Sequence, residues 1–391
     1  MMHIKKGSKS LLKDLNRSIV INMIRENGPI SRVAIARATG LERASITNIA
    51  NYLLKKKLIK EVGQDKSSGG RRPIFLDINY DYGTTCGIKI EAERIIIGLT
   101  NLRGKIISKS EEKFPRGSKS QEILELIIKN IDRIIKSANL LGIGIGVSGF
   151  VNLEKGISIY SPILNWKNVN LAKPLKERYR VPVFLSNDVN TLTLAEKWYG
   201  AGKKYKNFIC ITVGEGIGSG IVINGKFYGG AIGGAGEIGH ICIDMNGPKC
   251  RCGETGCLEA LASDYFLIEE AKKAIAQGEG EFKKPTPEEL LQAAKCGDIV
   301  AKDIFKKMGR NLGIGAKNAV NLLNPEAIII GGERIDAYNF FSPAFKEAVK
   351  GHSFPEEAKK LDIILTELGE DGWIIGAATL VIRDFFKLPF E

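Results

Sequence analysis

The sequence predicts an α/β chain in which a small basic winged helix-turn-helix precedes a larger body of two lobes. Three observations lead there. Residues 1–75 hold 16 Lys and Arg against 5 Asp and Glu, so that +11 of the net +13 sits at one end and the other 316 residues are nearly neutral. Within that basic end, apolar spacing changes from helical to strand-like after Leu54. From Thr85 onward, strand and helix patterns alternate, which implies α/β layers.

With 391 residues, two or three domains are expected. A hydrophobic share of 44% beside 26% charged residues excludes a disordered chain. No run approaches the roughly 20 apolar residues that span a bilayer, and the longest, Leu140 to Val151, reads as a buried strand. The basic N-terminus is followed by no signal-peptide core, so a cytoplasmic location is expected. A basic end on a neutral body is an electrostatic footprint for a polyanion, nucleic acid before a membrane surface.

Taken in order, residues 12–26 place Leu15, Ile19 and Met23 at helical spacing, with Val20 and Ile24 alongside, and Asn27-Gly28-Pro29 ends that helix. Ser31 can cap a short second helix carrying Val33, Ala34 and Ala38, stopped by Gly40. A third helix from about Glu42 buries Ile46, Ile49 and Leu53 and shows Arg43, Thr47, Asn48 and Asn51 on its other face. Two helices joined by a short glycine-containing turn make a helix-turn-helix, whose second helix enters the major groove of double-stranded DNA. Arg43, Thr47 and Asn48 could instead be a solvated face, but helix spacing, turn glycine, wing and localised charge together favour DNA. Residues 58–62 and 73–78 read as strands around a flexible tip, a wing. There Arg71 and Arg72 could enter a narrow minor groove or stay solvated.

In the body, residues 87–91, 94–100 and 105–108 read as strands, 121–137 as an amphipathic helix and 143–147 as a buried strand. Strand 182–185 and helix 189–199 follow. Residues 208–213 and 220–223 pair around a glycine loop, with Asn224-Gly225 a hairpin signal. Helices near 265–277, 287–295 and 298–323, a strand at 327–330 and a last helix around 376–386 complete it. The strand–hairpin–strand opening of each half suggests two related lobes with a ligand between them, the plan of an actin-like ATPase (ribonuclease H-like) fold. The expected division is 1–78 for the winged helix, 79–206 for a small lobe joined by the C-terminal helix (about 374–391), and 207–373 for a large lobe.

His240, Cys250, Cys252 and Cys257 bring one nitrogen and three thiolates, a set that suits a structural tetrahedral Zn2+ because four protein ligands leave no open position. Gly253 and Gly256 supply the turns of such a knuckle. Cys86, Cys210, Cys242 and Cys296 follow no ligand pattern and are expected as small core residues.

The string Glu237-Ile238-Gly239-His240 with Cys250–Glu259 resembles the signature of the ROK family (repressors, open reading frames and sugar kinases). Residues 213–220, 229–237 and 186–190 resemble it too, and the likeness runs from about residue 80 to the C-terminus. The leading module, ending in Gly69-Gly70-Arg71-Arg72-Pro73, looks like the repressor branch, of the xylose- and N-acetylglucosamine-repressor type. The resemblance implies that Asn187, Asp188, Glu237, His240 and Glu259 hold a free sugar, His240 being shared with the zinc and Asp188 standing at the kinases' catalytic base. Read from the residues alone, Asn187-Asp188 could instead cap a helix. Asn165 is a weaker sugar candidate, since such a residue is often only a turn former.

The family's kinases carry an Asp-x-Gly-Gly-Thr loop for phosphate and magnesium. Here the matching stretch is Lys89-Ile90-Glu91-Ala92-Glu93, with a lysine for the aspartate, no glycines and two carboxylates where phosphates would lie. Phosphoryl transfer needs charge neutralisation and close backbone approach, which this stretch opposes. The loop Gly214–Gly220 and the pair Gly331-Gly332 persist, either as scaffold or for a nucleotide. The expectation is a sugar-responsive DNA-binding regulator, a homodimer or homotetramer on an inverted repeat, and not an enzyme. The alternative is an active sugar kinase that also binds DNA.

Overall fold

The structure is a computed structural model and describes residues 9–64, 74–136, 138–351 and 360–387. Its leading module opens with α1 (Lys9–Asn27), whose Val20 and Ile24 are fully buried while Leu15, Ile19 and Met23 are half-buried. The two-residue strand β1 (Ile30–Ser31) leads into α2 (Arg32–Thr39). Ser31 caps α2 by accepting from the Ala34 amide at 3.2 Å, and Gly40 closes it at φ +71°. The buried face of α2 is Ile35 and Ala36; Val33, Ala34 and Ala38 face solvent.

Helix α3 (Arg43–Lys55) buries Ile46, Ile49, Ala50 and Leu53, the face its spacing predicts. Strands β2 (Ile59–Gln64) and β3 (Ile74–Ile78) pair antiparallel, and β1 adds to the free edge of β3. That third strand has no periodicity to announce it, because two residues carry no pattern. The wing tip, with Arg71 and Arg72, lies outside the described residues.

The first sheet of the body has the order β11-β7-β4-β5-β6. It contains β4 (Thr84–Ile90), β5 (Arg94–Asn101) and β6 (Ile106–Lys113), then β7 (Leu140–Val147) beyond α4 (Ser120–Ile135). A small antiparallel sheet of β8 (Phe150–Asn152), β9 (Ile157–Ser161) and β10 (Trp166–Asn170) follows, with α5 (Ala172–Tyr179) and β11 (Val183–Asn187). Helix α6 (Asp188–Trp198) leads to the second sheet.

That sheet comprises β12 (Phe208–Val213), β13 (Ile217–Ile223), β14 (Lys226–Tyr228), β15 (Ala327–Gly331) and β16 (Asp362–Leu365), in the order β14-β13-β12-β15-β16. Asn224 and Gly225 turn the β13–β14 hairpin at φ +53° and +76°. Both sheets open with an antiparallel meander and then add two parallel strands beside its first member. The two related halves read from the sequence are therefore present as repeated connectivity. Helices α7 (Leu258–Ala262), α8 (Asp264–Gln277), α9 (Pro287–Cys296), α10 (Ile299–Leu323) and α11 (Tyr338–Lys350) cover the second sheet. Thr286 and Asp298 cap α9 and α10 through their side chains.

Helix α12 (Asp371–Phe385) returns to the first sheet. It lies almost backbone to backbone on β4 and β7, since a Cβ on Gly87 would stand 1.9 Å from the Ile374 carbonyl oxygen and one on Gly144 1.8 Å from that of Ala377. Gly144→Ala is therefore expected to push α12 off the sheet, at a cost of about 3 kcal/mol. Thermal unfolding should register this as a fall in Tm of several degrees.

The far end of α12 enters the core of the leading module. Ile382 and Phe386 pack, fully or nearly buried, with Val20, Ile24, Ile35 and Leu76. The described residues include no helix long and apolar enough to cross a membrane.

Two expectations for cysteine need correction. Cys86 and Cys210 are buried in the sheets, but Cys242 and Cys296 are exposed. Cys242 lies on the loop that bridges to Cys257, and Cys296 ends α9 on its solvent side, so neither position points into the core.

Candidate functional site

Between the two sheets opens a cleft of about 350 Å³. Asn187, Asp188, Glu237, His240 and Glu259 all line it, although they come from three separate stretches of chain. Asn187 ends β11 and caps α6, accepting from the Asn190 amide at 3.3 Å, while its Nδ2 donates to the Gly149 carbonyl at 3.1 Å. The capping role and the place in the cleft thus coexist in one side chain. Asp188 begins α6 with Oδ1 accepting from the Val189 amide at 2.9 Å.

Lys89 is 3% exposed and donates to Asp188 Oδ2, with its Nζ 3.8 Å above the centre of the Trp373 ring. Burial works against the ammonium, but the carboxylates of Asp188, Glu333 and Glu91 outweigh it and raise its pKa. A lone buried carboxylate or ammonium would be costly; pairing offsets part of that cost for both, and removing either partner would leave the other unpaired.

Glu237 keeps contact with solvent at the rim, yet burial of its carboxyl in the concave wall pushes its pKa up. His240 opposes that shift, and Glu259 and Asp188 reinforce it. Glu259 Oε2 accepts from the Ile217 amide at 3.2 Å, and its Oε1 lies 3.4 Å from Arg251 Nη2. Asn165 is exposed on a left-handed turn at φ +53° and does not line the cleft. Lys89, Trp373, Arg251 and Glu333 line it without having been candidates for a ligand site. Trp373 had no local signal: it sits in an apolar helix and reaches the cleft only because α12 folds back across the first sheet.

One edge of the cleft is a metal-ligand cluster. Donor atoms of His240, Cys250, Cys252 and Cys257 all lie within 4.8 Å of one another. Cys250 Sγ is 3.7 Å from His240 Nδ1, and Cys252 Sγ is 3.7 Å from Cys257 Sγ. A tetrahedron with bonds of about 2.3 Å has edges of about 3.8 Å, so the donor set can hold a metal ion. Gly253 and Gly256 turn the knuckle at φ +99° and +72°. A Cβ at Gly256 would collide with the Asp244 carbonyl oxygen at 1.6 Å.

At the other end of the molecule, Arg43, Thr47, Asn48 and Asn51 are all exposed on one side of α3. Thr47 Oγ1 donates to the Arg43 carbonyl at 2.9 Å, which leaves the hydroxyl oxygen as an acceptor.

The xylose repressor of Caldicellulosiruptor bescii is 34% identical to this chain over 395 residues, covering 98% of this chain and 99% of that protein. The crystal structure of a ROK family transcriptional regulator, a homologue of the Escherichia coli MLC protein, superposes with a TM-score of 0.85 at 29% identity, over 96% of this chain and 97% of the other. These likenesses define the chain as a DNA-binding transcriptional regulator of the repressor type, for genes of sugar metabolism, and not an enzyme. A family model described as the ROK family matches residues 85–384, and the chain belongs to that family.

A ROK family glucokinase from Streptomyces griseus, solved with glucose and AMPPNP, superposes with a TM-score of 0.66 at 28% identity. The match covers 99% of the kinase but 76% of this chain. The kinase accounts for the two-lobed body and leaves about a quarter of this chain without a counterpart.

Proposed function

We propose that the cleft binds a sugar through Asn187, Asp188, Glu237, His240 and Glu259, and that the bound sugar sets the affinity of the winged helix for operator DNA. The observation that carries this is the convergence of those five polar side chains in one cleft. Carboxylates, an amide and an imidazole together accept from and donate to several hydroxyls, which is what a polyol requires. The cluster of His240, Cys250, Cys252 and Cys257 holds a structural zinc, which would fix the imidazole through Nδ1 and leave its other nitrogen for the sugar. The relative named above as a xylose repressor makes a pentose a natural first ligand to try.

Residues 1–78 act as the DNA-binding unit, and 79–206 with 207–373 as the lobes around the sugar. Two or four copies in the cytoplasm place paired winged helices on an inverted repeat. Sugar is expected to relieve repression. A thermal-shift screen against neutral sugars, with the hits then tested for release of duplex DNA, decides the matter. A sugar that binds without changing operator affinity would refute the coupling.

On the DNA side, Asn48→Ala should weaken binding to a duplex selected from a random pool about tenfold or more, with little effect on random DNA, if α3 reads base edges. Arg71→Ala with Arg72→Ala should instead lower the salt slope by about one for each phosphate left without its arginine. Fluorescence anisotropy across a salt series distinguishes the two.

A further inference from the structure

A glycine-rich loop after a strand presents bare backbone amides that suit a phosphate. Residues 214–216 form such a loop between β12 and β13, and Glu215 and Gly216 line the cleft. Here the chain's own carboxylates lie on it. A Cβ on Gly214 would stand 1.9 Å from Glu333 Oε2, so the Glu333 carboxylate presses directly on that glycine. Two residues on, a Cβ at Gly216 would meet Glu259 Oε2 at 2.9 Å, and the same oxygen takes the Ile217 amide hydrogen. The Ile217 amide and the open face of Gly214 are therefore both occupied by carboxylates of the chain itself.

Cations that could draw a phosphate in are committed as well. Among the described residues lining the cleft, the Lys and Arg side chains are Lys89 and Arg251. Lys89 is held by Asp188. Arg251 donates to the Glu215 carbonyl at 2.7 Å and lies 3.7 Å from the Glu215 carboxylate and 3.4 Å from that of Glu259. Arg116, outside the cleft wall, pairs with the same Glu215 carboxylate oxygen. Against these two stand the carboxylates of Glu91, Asp188, Glu215, Glu237, Glu259 and Glu333. Burial pushes the Glu333 pKa up; Lys89 partly offsets this, and Glu91 and Asp188 add to it, as expected in a field that is negative overall.

We infer that Glu333 is a specificity-determining residue that makes the cleft accept an uncharged, unphosphorylated sugar and reject sugar phosphates and nucleotides. The inference rests on the cleft being the sugar site. Hydroxyl groups meet several acceptors here, whereas a phosphate dianion meets Glu333 at the glycine loop after β12. Glu333 itself is not among the five side chains proposed to hold the sugar hydroxyls.

Isothermal titration of the full chain tests this with neutral hexoses, pentoses and N-acetylhexosamines, their terminal phosphate esters, and AMPPNP. At least one free sugar is expected to bind, with its phosphate ester weaker by about 100-fold or more. Glu333→Gln should leave the free sugar within about twofold and tighten the ester or AMPPNP about tenfold or more, a gain that fades with added salt. Glu333→Asp keeps the charge and should keep the exclusion, which separates charge from shape if the Gln variant is poorly folded. A wild-type chain that binds an ester as tightly as the free sugar, or a Gln variant with unchanged discrimination, overturns the role of Glu333. If no sugar of either kind binds, the reading of the cleft itself fails, and this inference with it.

Discussion

Cys257→Ser is expected to empty the metal cluster, weaken sugar binding about 10- to 100-fold and leave DNA binding in place. Cys257 is fully buried between the knuckle and the start of α7, and Glu259 sits two residues further on in that helix. Removing one of four ligands frees His240 Nδ1, so the imidazole no longer holds one orientation toward the cleft. It also frees the segment that carries Glu259 to the Ile217 amide. One substitution thus disables two of the five side chains proposed to hold the sugar. The winged-helix core around Val20, Ile24, Ile46 and Leu76 shares no residue with the knuckle, so operator binding should persist and become insensitive to sugar. Metal analysis beside a DNA-release assay checks both halves. A variant that retains one metal ion per chain would show the ligand assignment to be wrong.

The knuckle was legible because its chemistry is local. Four ligand residues and two turn glycines fall within eighteen consecutive residues, and their spacing alone fixes a donor set. The wall containing Asn187 and Asp188 was legible only through resemblance, because nothing in the two residues themselves separates a helix cap from a sugar contact. In the structure Asn187 is the cap, and the same geometry turns it toward the cleft. Lys89 could be seen to displace an aspartate but not to what effect. Its pairing with Asp188 spans 99 positions of sequence and depends on the parallel pairing of β4 and β7 that brings β11 alongside. Trp373, Glu333 and the short strands β8 to β10 were invisible for the same kind of reason: their roles come from which sheets and helices are neighbours.

The body's departure from a phosphotransferase is also a matter of neighbours. The glycines of the second loop persist, yet they serve packing. A Cβ on Gly220 would stand 2.0 Å from Thr193 Oγ1 of α6, and one on Gly218 2.7 Å from Val189. With α6 pressed so closely on β13, those positions need glycine whether or not a nucleotide ever binds, and their presence says nothing about catalysis.

Operator and sugar should be uncoupled, with each still bound, when Asn22 and Arg25 are both replaced by alanine. Two helices begin in the cleft and end at α1. Helix α6 starts at Asp188 and finishes at Trp198, over whose ring the Arg25 guanidinium lies at 4.3 Å. Helix α12 has Trp373 in the cleft and leads to Phe386, whose carbonyl accepts from Asn22 Nδ2 at 2.7 Å. At 1.5 Å per residue they cover about 16 and 22 Å. They also pack closely on each other, since a Cβ at Gly376 would stand 1.9 Å from the Thr191 carbonyl oxygen. A sugar that shifts Asp188 or the Lys89–Trp373 contact is therefore expected to displace the base on which α1 rests. In the wild-type chain, saturating sugar should lower operator affinity by a factor in the range of about 5 to 150, and operator should lower sugar affinity by the same factor. In the double variant both factors should fall below about two, while the two separate affinities change little, because neither side chain belongs to the cleft or to the exposed face of α3. Measuring each affinity with and without the other ligand checks the reciprocity directly, and full coupling in the variant would mean that the signal reaches the DNA by some path other than α6 and α12.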